Sequence, residues 1–485
     1  MRKTNDRDYE VGFVTHTKRY LLSIEGLPSA KVNDLLMDDE GHLAIIRSLA
    51  DDHVSALALS ATAGPGDRYR YFEGDFMYSC GEPLFGRIIN ALGVPVDGRG
   101  SLPPGDVPLR LELDAPGIEQ RVPIHEQLNT GVTVADLMIP IAKGQRQLLF
   151  GPMRSGKTTF LTETVLQQKS EGTVCIYAVL GKPVAGLRKV TDTILAGDEK
   201  GKVIVIAALS DEPASMIALA PSVAYLLAEH YRSQGEDVLV ILDDLDAHAK
   251  YLREIGLLEG RLPSNESYPG DIFYQHAHLM ERSGHFNEQL GGGSITSLPV
   301  VQTDLKNFSD LIPTNLMACT DGHFAFSPSL RAEGIHPSIS IEQSVTRVGR
   351  QSQETMQKEL TTKLQILLGS FRQQIEYAQF SADLSTQTKE TLRRGAIAEA
   401  LLRQDPYRPV ATGAQVLLLA LLFTTFFDGK DVSYVTRYKP ILLETLGWHK
   451  SFAQMRTDAL KKAVYDDFIA QLQALLPVLE KVCQQ

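Results

Sequence analysis

Hydrophobic and polar positions change rhythm twice along the chain. Up to about residue 72 the apolar residues fall in short clusters, "YEVGFVT", "RYLLSIEG", "HLAIIRSLA" and "VSALALSAT", broken by Gly, Pro, Asn and Asp. Short strands at that spacing predict a small β-barrel. The segment "GRIINALGVPVDGRGSLPPGDVP" follows, and its turn residues read as a loop-rich boundary. From about 145 to 345 continuous apolar runs, "RQLLFG", "TVCIYAVL", "KVIVIAAL", "DVLVILDD" and "SITSLPVV", alternate with helical stretches. Such runs predict a mostly parallel sheet covered on both faces. After about 353 the strand signal stops, and "QKELTTKLQILLGSFRQQIEYAQF" carries apolar residues at three-to-four spacing, as a helical bundle requires. The expected fold class is multidomain α/β, divided into a barrel at 1–72, an α/β domain at 73–353 and a helical domain at 354–485. The longest apolar run, "VLLLALLFTTFF", has 12 residues, short of the roughly 20 that span a bilayer. It predicts a buried core helix and no direct membrane span.

Composition narrows the class further. A chain of 485 residues exceeds one comfortable core, so several domains are expected. Hydrophobic residues at 43% and charged residues at 22% describe an ordinary globular protein. The 48 Lys and Arg against 59 Asp and Glu give a net charge of -11. That balance argues against broad nucleic-acid binding, which needs clustered cations, and leaves only a local basic patch open. Four widely separated cysteines, Cys80, Cys175, Cys319 and Cys483, form no CxxC pair and have no histidines at zinc spacing. Neither a disulfide framework nor a zinc site is expected, and a reducing compartment fits. The opening "MRKTNDRDYEVGF" carries charge without an apolar signal core.

Candidate chemistry enters at "QRQLLFGPMRSGKTTFLTETV". Gly151, Pro152, Met153, Arg154, Ser155, Gly156, Lys157 and Thr158 form GxxxxGKT, with Thr159 next, between an apolar run and a helical stretch. In this pattern the loop's N–H groups and the helix N-terminus cradle a pyrophosphate. Lys157 then reaches the β- and γ-phosphates, and the Thr158 hydroxyl ligates magnesium. The second half of such a site is an acidic residue at the end of another apolar strand, and "VLVILDDLDAH" supplies Asp243, with Asp244 beside it. Asp243 is the candidate for orienting magnesium through its water. Taken alone, an Asp at a strand end serves equally well as a helix cap.

With these residues in view, the chain resembles the alpha subunits of the rotary F-type ATP synthases. The resemblance runs through "TGVTVADLMIPIAKGQR", "DEPASMIALAPSVAYLLAEHYRSQG", "YPGDIFYQHAHLMER", "GGGSITSLPVV", "IPTNLMACTDGHFAF", "GIHPSISIEQSVTRVG" and "AQFSADLSTQTKETLRRG", nearly the whole chain from about residue 10. It implies a barrel, a RecA-like P-loop domain binding ATP or ADP with Mg²⁺, and a helical C-terminal domain. It also implies partners: a catalytic beta-type subunit alternating with this one in a hexamer, a gamma-type central shaft and a peripheral stalk. The implied location is the cytoplasmic side of a bacterial cell membrane, where the complex couples its chemistry to ion translocation.

The matched segments carry residue roles. Catalytic members of the superfamily place a glutamate, in a Gly-Glu-Arg pattern, after the strand that follows the phosphate-loop helix. Alpha-type subunits usually have Gln there, and this chain has Lys182, in "GKPVAG". An ammonium has no lone pair with which to accept a proton from attacking water, so the loop is expected to hold nucleotide without hydrolysing it. On its own, Lys182 also reads as a plain turn residue. Arg347, in "SVTRVG", matches the arginine that reaches across the interface to the neighbour's γ-phosphate, although an isolated Arg there reads as a surface ion-pair partner. Gln404 and Tyr407, in "LLRQDPYRP", match the adenine loop, with Asp405 and Pro406 departing from it. In "GIHP" the family's arginine is replaced by His336, followed by the expected Pro337; His336 fits either base stacking or a structural loop. Members of the family typically begin with an extension bearing an amphipathic helix for the stalk, and almost nothing precedes the barrel here. Two other readings remain: a catalytic homohexameric motor, of the secretion-export or Rho-like type, and an interaction protein retaining the loop as a relic.

Overall fold

The structure, a computed structural model, describes residues 10–60, 63–72, 76–108, 115–197, 201–261, 268–303, 310–378, 385–461 and 464–484. The expectation for the first residues of the chain lies largely outside that set. A closed six-stranded barrel, a central α/β domain with a mostly parallel sheet and a C-terminal helical region are all present.

The barrel consists of β1 (Gly12–Lys18), β2 (Leu21–Glu25), β3 (Leu35–Asp38), β4 (Leu43–Leu49), β5 (Val54–Ala58) and β6 (Arg68–Tyr71), ordered β1-β2-β5-β4-β3-β6. Alternation explains it, since Val14, Leu22, Ile24, Leu36, Ala56 and Tyr69 point into a dry interior. The apolar pattern signals β1, β2, β4 and β5. Strands β3 and β6 are short, and β6 is "RYRY", in which a single buried Tyr69 between arginines gives little hydrophobic signal.

By compactness the chain divides into two units. The first comprises Met1–Val122, Leu148–Phe150 and Gly172–Thr320; the second comprises Pro123–Gln147, Gly151–Glu171 and Asp321–Gln485.

In the first unit every expected apolar run is a strand. Val174–Lys182 pairs in parallel with Val203–Leu209 on one side and Val238–Asp243 on the other, and Val238–Asp243 pairs in parallel with Ser294–Gln302. The short strand Ile88–Ile89 extends the edge beyond Val203–Leu209. Val, Ile and Leu fill these strands on both faces, as a sheet covered twice requires. The covering helices include Val184–Ile194, Ala214–Ser233 and Leu245–Leu258. The register sets Val179 opposite Asp243, so the strand Val174–Lys182 runs on to Lys182 beyond the end of its neighbour.

The second unit holds the helix Lys157–Glu171, the antiparallel hairpin Gly322–Phe326 with Ile339–Thr346, and the helices from Thr355–Ala378 to Leu476–Gln484. Asp136 anchors a buried polar knot within it. Its carboxylate accepts from Thr130 N and Oγ1 at 2.7 Å each, Gly131 N at 3.0 Å and Gln415 Nε2 at 2.9 Å. Complete burial raises its pKa to about 6 despite those donors. The run "VLLLALLFTTFF" is buried from Val416 to Leu422 and again at Phe426 and Phe427, but its helix is shorter than the run. The α-helix Thr412–Ala420 tightens into the 3₁₀ turn Leu421–Phe423 and then stops. Thr424 ends it, its hydroxyl donating to the Leu421 carbonyl at 2.8 Å and accepting from Phe426 N at 3.2 Å. Among the described residues no helix is long and apolar enough to cross a membrane.

Candidate functional site

The phosphate loop closes on glycine geometry. Strand Gln147–Gly151 runs directly into it, and the helix begins at Lys157. Gly151 has φ 150° and Gly156 φ 105°, conformations that disfavour any side chain. A Cβ on Gly151 would stand 2.6 Å from the Phe326 carbonyl oxygen, and one on Gly156 2.9 Å from Ser338 Oγ. Arg154 is also left-handed, at φ 61°. The loop therefore has the backbone-lined cradle that a pyrophosphate fits. Lys157 is buried, with Nζ donating to the carbonyls of Gly151 at 2.6 Å and Pro152 at 2.8 Å. Ser338 Oγ donates to the Ser155 carbonyl and so ties the loop to the hairpin. The Ser155 hydroxyl is itself buried, with no hydrogen-bond partner among the described residues. Met153 and Arg154 are exposed, Thr158 is half-buried and Thr159 is buried.

The predicted purine residues cluster in the same unit around an acid that the sequence does not single out. Glu163, fully buried one and a half turns into the loop's helix, accepts His336 Nε2 at 2.9 Å and Tyr407 N at 2.7 Å on one carboxylate oxygen. His336 is buried, and the peptide joining it to Pro337 is cis. Its carbonyl accepts Gln404 N at 2.7 Å. The Gln404 amide is committed inside the unit. Nε2 donates to the Gly131 and Arg408 carbonyls at 2.7 and 2.8 Å, and Oε1 accepts Thr133 N and Oγ1 at 3.1 and 3.0 Å. Tyr407 is 43% exposed, with its ring the open aromatic surface of this loop. The only available signal for Glu163 was an acid in a stretch whose neighbours Phe160, Leu161 and Val165 are apolar and buried.

Arg347 sits elsewhere in this unit. It follows the strand Ile339–Thr346, whose pairing with Gly322–Phe326 shifts register between His323 and Ala325. It is exposed. Its backbone N–H donates to the Asp321 carbonyl at 2.7 Å, and the Asp321 carboxylate takes a two-pronged grip from the Arg146 guanidinium at 2.6 and 3.0 Å. The base of the hairpin is thereby fixed where Arg347 leaves it.

The strand ends of the first unit hold the remaining candidates. Asp243 is buried, accepting the Tyr177 hydroxyl on Oδ2 at 2.7 Å and pairing with Lys182 Nζ on Oδ1 at 2.5 Å. Burial, followed by the charge of Asp243, holds the Tyr177 phenol well above its ordinary pKa, so it remains a donor. Asp244 caps the helix Leu245–Leu258 through Ala247 N at 2.7 Å and accepts Gln302 Nε2 at 2.6 Å. Burial and then Asp243 raise its pKa to about 6. Of this dipeptide Asp244 is the helix cap, while Asp243 beside it faces Lys182 and Tyr177.

Comparison with known proteins bears on both units. Residues 131–346 match the model described as "ATP synthase alpha/beta family, nucleotide-binding domain", and residues 353–477 match "ATP synthase alpha/beta chain, C terminal domain". The chain is 35% identical over 426 residues to "ATP synthase subunit alpha 1" of Rhodopirellula baltica, covering 87% of this chain and 84% of that one. It is 36% identical over 432 residues to "ATP synthase subunit alpha" of Lactobacillus delbrueckii subsp. bulgaricus, covering 89% and 86%. The relative of the same name from Lactobacillus helveticus is 34% identical over 454 residues, covering 93% and 89%. The chain belongs to the ATP synthase subunit alpha family.

The candidate residues of this family member fall in both units. The loop with its glycines and Lys157, the Glu163 cluster and Arg347 lie in the second unit; Lys182, Asp243 and Tyr177 lie in the first. The contact between Lys182 and Asp243 joins residues 61 positions apart in the chain (243 − 182), and it depends on the parallel register that sets Val179 opposite Asp243.

Proposed function

We propose that the chain is a non-catalytic, nucleotide-binding alpha-type subunit of a rotary F-type ATP synthase or ATPase. It holds ATP or ADP on residues 151–158, with Thr158 as the direct magnesium ligand when the cation accompanies the nucleotide. It lends Arg347 in trans to the catalytic site of a neighbouring beta-type subunit. Its partners are that subunit in an alternating hexamer, a gamma-type shaft and a peripheral stalk, on the cytoplasmic side of a bacterial membrane, with the chemistry coupled to ion translocation. The three-part division at 1–72, 73–353 and 354–485 belongs to the same reading.

The observation that carries it is the Lys182 ammonium, 2.5 Å from the Asp243 carboxylate. Catalytic superfamily members have a glutamate at the matching position, and its work is to polarise attacking water. A cation engaged in an ion pair accepts no proton. The exposure of Arg347 at the end of a braced hairpin supports the second half of the reading, since a finger acting on a neighbour must leave its own fold. The names of the relatives agree with an alpha-type role, and no observation favours the homohexameric motor.

The test compares binding with turnover. The purified full-length chain is expected to bind ATP while showing negligible hydrolysis, and to support hydrolysis once assembled with a glutamate-bearing catalytic partner. Steady hydrolysis by the chain alone would overturn the proposal.

A further inference from the structure

The family resemblance gives recognition of the base to His336, Gln404 and Tyr407, all in the second unit with the phosphate loop. A side chain reads a base edge with a donor or acceptor that has no other partner. Gln404 has none to give. A glutamine amide carries two N–H donors and two acceptor positions on its oxygen. Nε2 serves the Gly131 and Arg408 carbonyls, and Oε1 serves Thr133 N and Oγ1, so all four are engaged inside the unit. His336 is only 6% exposed and gives Nε2 to Glu163 at 2.9 Å. Its ring offers no open face on which a base could stack. Pro337 and Pro406 have neither an N–H nor a polar side-chain atom. Asp405 stands exposed with Arg408 3.6 Å away, where water satisfies and screens both charges.

Tyr407 differs in each respect. It is 43% exposed, and its backbone is left-handed at φ 61°, a conformation that a bulky side chain adopts only when its surroundings impose it. Its N–H donates to Glu163 Oε1 at 2.7 Å. Glu163 belongs to the helix that begins at Lys157, so the carboxylate ties the backbone of Tyr407 to the same rigid element that opens at the phosphate loop. Stacking on an aromatic ring needs only a π face, which every base has. The Tyr407 hydroxyl both donates and accepts, and so serves either purine.

We infer that this site grips phosphate on residues 151–158 and stacks the base on Tyr407, and therefore binds adenine and guanine nucleotides alike. The inference rests on the nucleotide-binding reading above. It widens the ligand class to purine nucleoside di- and triphosphates.

The test is calorimetric titration of the full-length chain with ADP, GDP and inorganic pyrophosphate. The ADP and GDP dissociation constants are expected to agree within about fivefold, and Tyr407→Ala should weaken both about tenfold or more while leaving pyrophosphate affinity unchanged. Tyr407→Trp keeps an aromatic face and should retain both nucleotides. A wild-type preference for either base beyond about fivefold overturns the inference and leaves the nucleotide-binding reading standing. So does a folded Tyr407→Ala protein that binds ADP as the wild type does, or that loses pyrophosphate equally. Absence of ADP and GDP binding to the wild type overturns the nucleotide-binding reading and this inference with it. The wild-type comparison needs no variant and decides the matter even if Tyr407→Ala fails to fold.

Discussion

The phosphate loop and the strand ends of the parallel sheet are held by different physics, backbone conformation in the first and paired charge in the second. The loop depends on Gly151 and Gly156, whose missing side chains are required by the Phe326 carbonyl and the Ser338 hydroxyl. The strand ends depend on charge, and there a lysine faces the acid. Backbone requirements of this kind persist whatever reaction follows, because any Cβ would break the cradle. A charge pair is altered by a single substitution. The two features therefore respond to different kinds of substitution.

Four experiments would sharpen or break that contrast. The largest effect is expected from Arg347→Ala in the assembled complex, with the hydrolysis rate falling about 10³-fold or more and nucleotide affinity of the isolated chain unchanged. An undiminished rate would remove the finger role. Lys157→Ala should weaken nucleotide binding roughly ten- to a hundredfold, the loss of one or two charge-assisted hydrogen bonds to phosphate. A binding isotherm like the wild type's would place the grip somewhere other than the loop.

Gly156→Ala forces a side chain into a left-handed position against Ser338, so calorimetric unfolding should show about 1–3 kcal/mol lost, together with weaker binding. The smallest effect concerns acid. His248 and His276 pack in the first unit with ring centroids 5.8 Å apart, and burial lowers their pKa values to about 4 and about 3. For His276 the neighbouring His248 adds to the effect. The unfolded chain takes up protons near pH 6.5 while the native rings stay neutral. Stability is therefore full above 6.5 and declines as pH falls from there towards 4, by about 1 kcal/mol per histidine at pH 6. Hydrogen exchange should quicken first in Leu245–Leu258 and Ile272–Glu281. Equal quickening in Lys157–Glu171 would show that acid does not single out the strand-end side.

Legibility followed the range of the signal. Five apolar runs announced five strands, because a strand buried on both faces must be apolar throughout. The loop was legible for a similar reason, since its glycines and Lys157 act within eight residues. Strands β3 and β6 were hidden by their length and by the arginines of "RYRY". The hairpin that ends at Arg347 was hidden because Ile339–Thr346 is only partly buried and its sequence alternates weakly. Glu163 gave almost no local sign, since its partners His336 and Tyr407 lie 173 and 244 residues away.

Sequence by itself determined the five apolar strands of the central sheet, the phosphate-loop motif and the absence of a glutamate at position 182, because each is a property of residue type or of neighbours in the chain. Only the tertiary structure decided that Lys182 meets Asp243, that Glu163 gathers His336 and Tyr407, and that Arg347 leaves a braced hairpin. Those contacts depend on strand register and packing, which bring distant positions to within a hydrogen bond, and no local pattern encodes such distances.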